Sequence, residues 1–310
     1  MSAQSNAVSG SGSSTQPIAP VIASWSRPLY WSVRREIWEN HSIYVVSLAV
    51  AGVYLFGFLI SMITLPHRIQ GAMALDAMKR QAAIEQPYDL AALFLMGAAL
   101  LVAIFYCLDA LYGERRDRSI LFWKSLPVSD LTTVASKAII PVVVLPLVTF
   151  AVTIVTQWIM LLMSTVALLG SGSSVEALWT NLHLWHMSVG LLFHLVAIHG
   201  FWYAPFFGWL LLVSAWAKRV PFLWAVLPPA AIAIIEKHAF NTSYFSLMLG
   251  TRFAGDTGNA ASMAGGMSMD ALTPFTPLEF VVNPRLWIGL AITAAFLAVA
   301  VRLRRYREPI

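Results

Sequence analysis

The chain has 310 residues, 58% of them hydrophobic and only 11% charged, with a formal net charge of +5. Ordinary soluble domains carry roughly a quarter charged residues, so this composition excludes a soluble globular protein. Several apolar runs exceed the ~18 residues that mark a membrane-spanning helix, and the positive balance then informs orientation and does not point to nucleic acid.

Residues 1–24 are rich in Ser, Gly, Ala and Pro and hold no charged side chain. They lack the basic start and compact apolar core of a signal peptide, and they read as a disordered cytosolic tail. Gly10-Ser11-Gly12-Ser13-Ser14 lacks the Lys that a phosphate-binding loop requires. Residues 25–41 predict a helix lying in the membrane interface. Leu29, Tyr30, Trp31, Val33, Ile37 and Trp38 share one broad face, and Ser32, Arg35, Glu36, Glu39 and Asn40 share the other. Arg34 falls on the apolar side and would have to snorkel. A solvated juxtamembrane helix is the plainer alternative.

Residues 42–305 predict an all-α, six-helix transmembrane domain, with residues 306–310 as a cytosolic tail. The spans run over residues 42–65, 90–112, 138–170, 187–217, 220–236 and 286–301. The third would be roughly 50 Å long at 1.5 Å per residue, too long for the hydrocarbon alone. Pro141 and Pro146 are expected to kink it, Pro205 falls inside the fourth, and Pro228-Pro229 are expected to interrupt the fifth. Cys107, the single cysteine, excludes an internal disulfide and any multi-thiolate metal centre. The outer segment 237–285 reads either as short re-entrant helices broken at Pro274, Pro277 and Pro284 or as a mobile Gly-rich loop. Glu236, Lys237 and His238 mark the end of the fifth span.

Placing the N-terminus inside puts fourteen Lys and Arg residues on the inner side and six on the outer. The excess satisfies the positive-inside rule and makes both termini and the loop 113–137 cytosolic. That loop carries five of the twenty Lys and Arg residues, together with Ile120, Leu121, Phe122 and Trp123 in succession. Wound as one helix from Glu114 to Leu126, its apolar side chains point nearly all round and call for cover on every side. The bundle can cover one side, and either another polypeptide or the loop's own fold covers the rest. Pro127 ends this helix, and Ser129 or Asp130 can cap the next.

The order Glu114-Arg115, Ser119-Ile120-Leu121, Leu126-Pro127-Val128-Ser129 and Lys137 resembles the first cytosolic loop of type-2 ATP-binding-cassette (ABC) transporter permeases. The interfacial helix, the six spans and the large outer segment extend this resemblance over about residues 28–305. It implies the type-2 permease (ABC exporter) fold in a bacterial inner membrane, surrounded by lipid, with no nucleic-acid partner. It also implies two cytosolic ATPase subunits below a pair of permeases, the second being a copy of this chain or a sister subunit. The coupling helix at 114–126 would meet the ATPase through Glu114, Arg115, Arg118, Leu121, Phe122, Trp123, Lys124 and Leu126. Lys218 and Arg219 would form a shorter second contact. ATP and Mg²⁺ would be bound by the partner, because this chain has no GxxxxGK[ST] sequence and is not itself expected to be an enzyme. Export is the implied direction.

Other polar groups have narrower readings. Asp109, one turn before the loop, is assigned as its anchor, with a pairing to Arg115 or Arg116 as the alternative. His194 and His199 read as pore-facing polar residues of the fourth span. His183, His186, Met263, Met267 and Met269 are of the types that bind soft metals, but no Cys or carboxylate completes a site and no metal is assigned. Two rival classes are an intramembrane enzyme using His and Asp and a stand-alone secondary transporter. The first needs His194 and Asp109 to converge, and the second needs repeated halves.

Overall fold

The computed structural model describes residues 26–125, 128–171, 175–254 and 277–306. Among these residues all regular structure is helical, and six helices are long and apolar enough to cross a membrane. The chain is therefore an all-α, multi-pass membrane protein. The tail 1–24, the Leu126-Pro127 step, Met263, Met267, Met269, Pro274 and residues 307–310 lie outside the described residues.

Helix α1 (Ser26–Glu39) precedes the spans. Its inward side mixes both faces: Val33 and Ile37 pack against the apolar core while Glu36 is enclosed and Glu39 stays exposed. Tyr30, Trp31 and Trp38 are exposed, whereas Glu36 is 1% exposed. In lipid the outer surface is the apolar one, so a charge is satisfied by turning it towards other protein groups. Arg34 does not reach far for water: its guanidinium lies over the Trp31 and Trp38 rings at 5.2 and 4.6 Å.

Helix α2 (Ser42–Ser61) continues through a 3₁₀ turn (Met62–Thr64) into α3 (Leu65–Met73), longer than the predicted first span. Helix α4 (Ala77–Ala110) returns, and its seam of Ala91, Ala92, Ala99 and Ala103 is buried. Small side chains let helices approach closely where no hydrophobic effect drives them together. The short helices α5 (Tyr112–Arg116) and α6 (Ser119–Ser125) follow.

Helix α7 (Asp130–Ile139) leads through a π-helical turn (Ile140–Val144) into α8 (Leu145–Gly170). Of the prolines expected to kink this run, Pro141 lies in the π turn and Pro146 in the first turn of α8, within a continuous 41-residue helix; widening the turn accommodates a proline that cannot donate to the helix ladder. Thr149, Thr153 and Thr156 on α8 are buried, each hydroxyl donating to the carbonyl four residues earlier at 2.8 Å. This satisfies a polar stripe inside an otherwise apolar helix. The whole run rises about 60 Å, twice the ~30 Å hydrocarbon thickness.

After α9 (Glu176–Asn181), helix α10 (Leu184–Phe193) enters a second π-helical segment (His194–Trp202), and α11 (Ala204–Trp216) completes the path. Pro205 lies in the first turn of α11, where its missing N–H costs nothing. Helix α12 (Pro221–Ala239) runs unbroken through Pro228 and Pro229, contrary to the expected interruption. Neighbouring groups can satisfy carbonyls freed by proline in a membrane helix. Helices α13 (Tyr244–Ala254) and α14 (Pro277–Val282) are short, and α15 (Pro284–Tyr306) is the last span.

Two apolar clusters dominate the interior. One, including Ile43, Ala103, Cys107, Ile140, Phe207 and Leu210, fills the half nearest α5 and α6. The other, including Phe58, Leu65, Tyr88, Met160, Leu168 and Leu178, fills the opposite half, where α3 and the ends of α4 and α8 meet. Gly208 places α11 against Thr293 and Phe296 of α15, where an added Cβ would lie 3.3 Å from the Thr293 methyl carbon.

Candidate functional site

The sequence predicts one helix across the loop, but the structure divides it. Helix α5 ends at Arg116, and Arg118 turns the chain with φ 59°, in the left-handed region that a non-glycine residue adopts only when its surroundings hold it there. Helix α6 then lies with Ile120 1% exposed and Leu121 and Phe122 58% and 60% exposed. One side of α6 is covered by the bundle and the other presents two large apolar side chains. Trp123 is half-buried, with the Arg35 guanidinium of α1 stacked over its ring at 3.7 Å. The loop is thus pinned to α1 by a cation–π contact.

Next to α6 lies a largely buried network of charges from α1, α5, α7 and α15, joined by a hydroxyl from α4. Lys137 Nζ of α7 is 2.9 Å from Glu36 Oε1 of α1 and 3.1 Å from Glu114 Oε1 of α5. Arg35 donates to Glu36 Oε1 at 2.7 Å, and the Tyr106 hydroxyl of α4 donates to Glu36 Oε2 at 2.9 Å. Arg304 of α15 donates to Glu114, and its Nε lies 3.2 Å from Asp130 Oδ1. The side chains of Glu36, Lys137 and Arg304 are at most 4% exposed. Three cations face three carboxylates in the enclosed set, with half-exposed Glu39 3.5 Å from Arg35 at its rim, so the enclosed charges balance, which is the condition for burying charge at tolerable cost. Burial pushes the Glu36 carboxyl upward, but Lys137 and then Arg35 outweigh it and hold the group below its ordinary value of 4.5.

A second set of contacts ties the loop to α11. Arg115, 4% exposed, donates to the carbonyls of Ala215 and Ala217 at 2.7 and 3.1 Å. Ser214 Oγ accepts from the backbone N–H groups of Leu111 and Tyr112 at 3.0 and 2.9 Å, where α4 passes into α5. Ala217 immediately precedes Lys218 and Arg219, both exposed in the turn before α12. The two regions assigned as separate contacts therefore share one end of the molecule, and Arg115 joins them.

The assigned residues separate accordingly. Leu121, Phe122, Arg118, Lys218 and Arg219 are exposed. Glu114 and Arg115 are turned inward and hold the loop in place, so neither side chain joins the exposed side of α6. Leu126 and the Lys124 side chain lie outside the described residues. Asp109 is not a buried anchor: its carboxylate is 63% exposed and pairs with Arg116 at 3.8 Å. Glu114 and Arg115 take that role, because they sit past the end of α4 and face back into the bundle. His199 is buried at 3% between the Tyr203 and Phe207 rings, whose centroids lie 6.2 and 6.1 Å away. It therefore faces packed aromatic groups and not an open pore, and neither His199 nor His194 meets Asp109, as an acid–base pair would require. His183 Nδ1 lies 3.8 Å from Glu85 Oε1, and among the described residues no three of His, Cys, Asp and Glu converge as metal ligands.

Sequence reasoning missed most of the network. In the sequence Arg304 enters only the count of basic residues, Arg35 that count and the polar face of α1, and Glu36 only that face. Ser129 does cap α7, accepting from Thr132 N at 3.1 Å, while Asp130 is used by Arg304. Glu236 does more than end a span: it accepts from Phe245 N at 2.9 Å and Thr242 Oγ1 at 3.2 Å, fixing the start of α13. Arg252 on α13 donates to the carbonyls of Trp202 and Arg285 at 2.9 and 2.7 Å, in space that a side chain at position 289 would fill.

In comparisons with known proteins, no family model, curated protein or solved structure matches the chain.

Proposed function

We propose that this chain is the permease subunit of a type-2 ABC exporter, and that separate cytosolic ATPase subunits seat on α6. The observation that carries this reading is the division of α6 into a covered side at Ile120 and an exposed apolar side at Leu121 and Phe122. Exposed large apolar side chains on a short helix outside the spans are a protein-docking feature. The adjacent exposed cations Lys218 and Arg219 extend the same surface.

The network explains how a push on α6 reaches the spans. Arg35 links Trp123 to α1, Lys137 and Arg304 link Glu114 to α7 and α15, and Arg115 links α5 to α11. Closure of the ATPase pair on ATP binding would displace α6, and these paired charges would carry α1, α7, α11 and α15 with it as a body. Separating them would strand buried charge, which costs about 3–5 kcal/mol per broken pair. A rigid-body change of this kind exchanges inward-open and outward-open arrangements. Export follows from the resemblance of the loop to exporter permeases.

The test is co-purification from native membranes. A subunit containing a Walker sequence should accompany the wild-type chain in stoichiometric amount. Leu121→Asp with Phe122→Asp should abolish that association while leaving membrane insertion and thermal unfolding unchanged, since both side chains are exposed. Full association of the double variant would overturn the docking assignment, and transport by the single chain without an ATPase would overturn the class.

A further inference from the structure

Helices α2 and α4 enclose a groove of about 710 Å³ on the outside of the bundle. Its walls are apolar, with Val50, Val53 and Gly57 on α2 facing Leu90 and Phe94 on α4. Val53 and Phe94 are 75% and 57% exposed, so the groove opens sideways, towards lipid. Its upper end is polar. Arg68 of α3 and Gln86 of α4 line it there, both exposed. The Tyr54 hydroxyl donates to the Pro87 carbonyl at 2.5 Å, tying the two helices together behind the opening. Of the carboxylates close in sequence to the lining residues, Asp76 lies 3.9 Å from Lys79, Glu85 3.8 Å from His183, and Asp89 is buried at 7% exposure.

We infer that this groove holds one phospholipid with an anionic headgroup, its phosphate on Arg68 and Gln86 and an acyl chain along the apolar floor. Three observations agree on that occupant. Along α2 the lining runs from Ala49 to Ser61, a rise of about 18 Å, close to the ~15 Å depth of one leaflet's hydrocarbon. The cation lies at the end of this run, where a headgroup would sit, and not within it. Its chemistry complements a phosphate, which a guanidinium binds through paired hydrogen bonds, and an amide donor lies beside it. A neutral lipid would fill the floor but leave the net charge of Arg68 unmatched. This inference does not depend on ATPase docking, which uses the other end of the molecule.

The experiment reconstitutes the full chain in phosphatidylcholine nanodiscs containing a minor fraction of phosphatidylglycerol, and native mass spectrometry counts the lipids released with the protein. Wild type should retain phosphatidylglycerol in excess of its share in the disc. Arg68→Gln should lower that enrichment about fivefold, the scale of one cation near a membrane surface, whereas Arg80→Gln, outside the groove lining, should not. Gly57→Phe should remove retained lipid of either headgroup. Gly57 lines the groove and a Cβ there meets no atom within 4 Å, so a side chain at this position starts in open space. The assignment fails if wild type shows no headgroup preference or Arg68→Gln keeps it. It also fails if Gly57→Phe changes the oligomeric mass and not the lipid count, because the groove would then be a protein interface.

Discussion

Lys137 is the residue on which the loop end turns. Its ammonium touches two carboxylates that would otherwise repel each other, Glu36 and Glu114. Replacing it by Met leaves both acids buried beside Arg35 and Arg304 alone, and unfolding in detergent should show a loss of about 3–5 kcal/mol at neutral pH. The pH dependence gives the assignment a second handle. Glu36 is held below its ordinary value of 4.5, so its contribution is present above that pH and is lost as pH falls through the lower folded-state value. Without Lys137 this contribution is smaller. The deficit of Lys137→Met relative to wild type should therefore shrink as pH falls below 4.5, and a deficit constant with pH would show that Lys137 acts through packing alone. Sequence alone could place Lys137 in a motif, but not Glu36 beside it, because the two are 101 positions apart and meet only when α1 lies across α7.

At the scale of elements, the two π-helical segments cross. A Cβ at Gly200 would lie 2.8 Å from the Val142 carbonyl oxygen, a backbone atom that cannot step aside. Glycine here serves close approach of two backbones. Gly200→Ala must push Ile140–Val144 and His194–Trp202 apart and should cost about 1–3 kcal/mol, the usual scale for overpacking. Gly190→Ala, in α10 with open space around it, should cost nothing measurable. Equal melting temperatures for both variants would show that the crossing is loose. The prolines were visible in the sequence, but their consequence was not. Pro141 became a π turn, Pro205 a helix start, and Pro228-Pro229 no break at all, because what a proline does to a membrane helix depends on which neighbours satisfy the carbonyl it frees. The loop helix divided for a similar reason: Arg115 and Glu114 are pulled inward by α11, α7 and α15, and the chain must turn at Arg118 before α6 can lie flat.

For the whole molecule, orientation is the property to test first. The charge asymmetry of fourteen against six predicts that the end carrying α6 and the α11–α12 turn is cytosolic. In a Cys107→Ala background expressed without an ATPase partner, Phe122→Cys and Lys218→Cys should react with an impermeant maleimide only after cells are permeabilised. Met78→Cys, at a position 85% exposed at the opposite end, should react in intact cells. The reverse pattern would place α6 outside and remove the docking reading with it.

What the sequence determined by itself was class and span number, because these follow from local composition: an 18-residue apolar run must satisfy its own backbone wherever it goes. It also singled out α6, since Ile120 to Trp123 are apolar residues in a charged loop. Only the tertiary structure decided which of them is covered, that α1 encloses Glu36 beside Val33 and Ile37, and that Asp109 stays exposed while Glu114 is enclosed. Those outcomes depend on partners far apart in the chain. A charge is buried or exposed according to whether an opposite charge from another helix meets it, and no window of sequence contains that information.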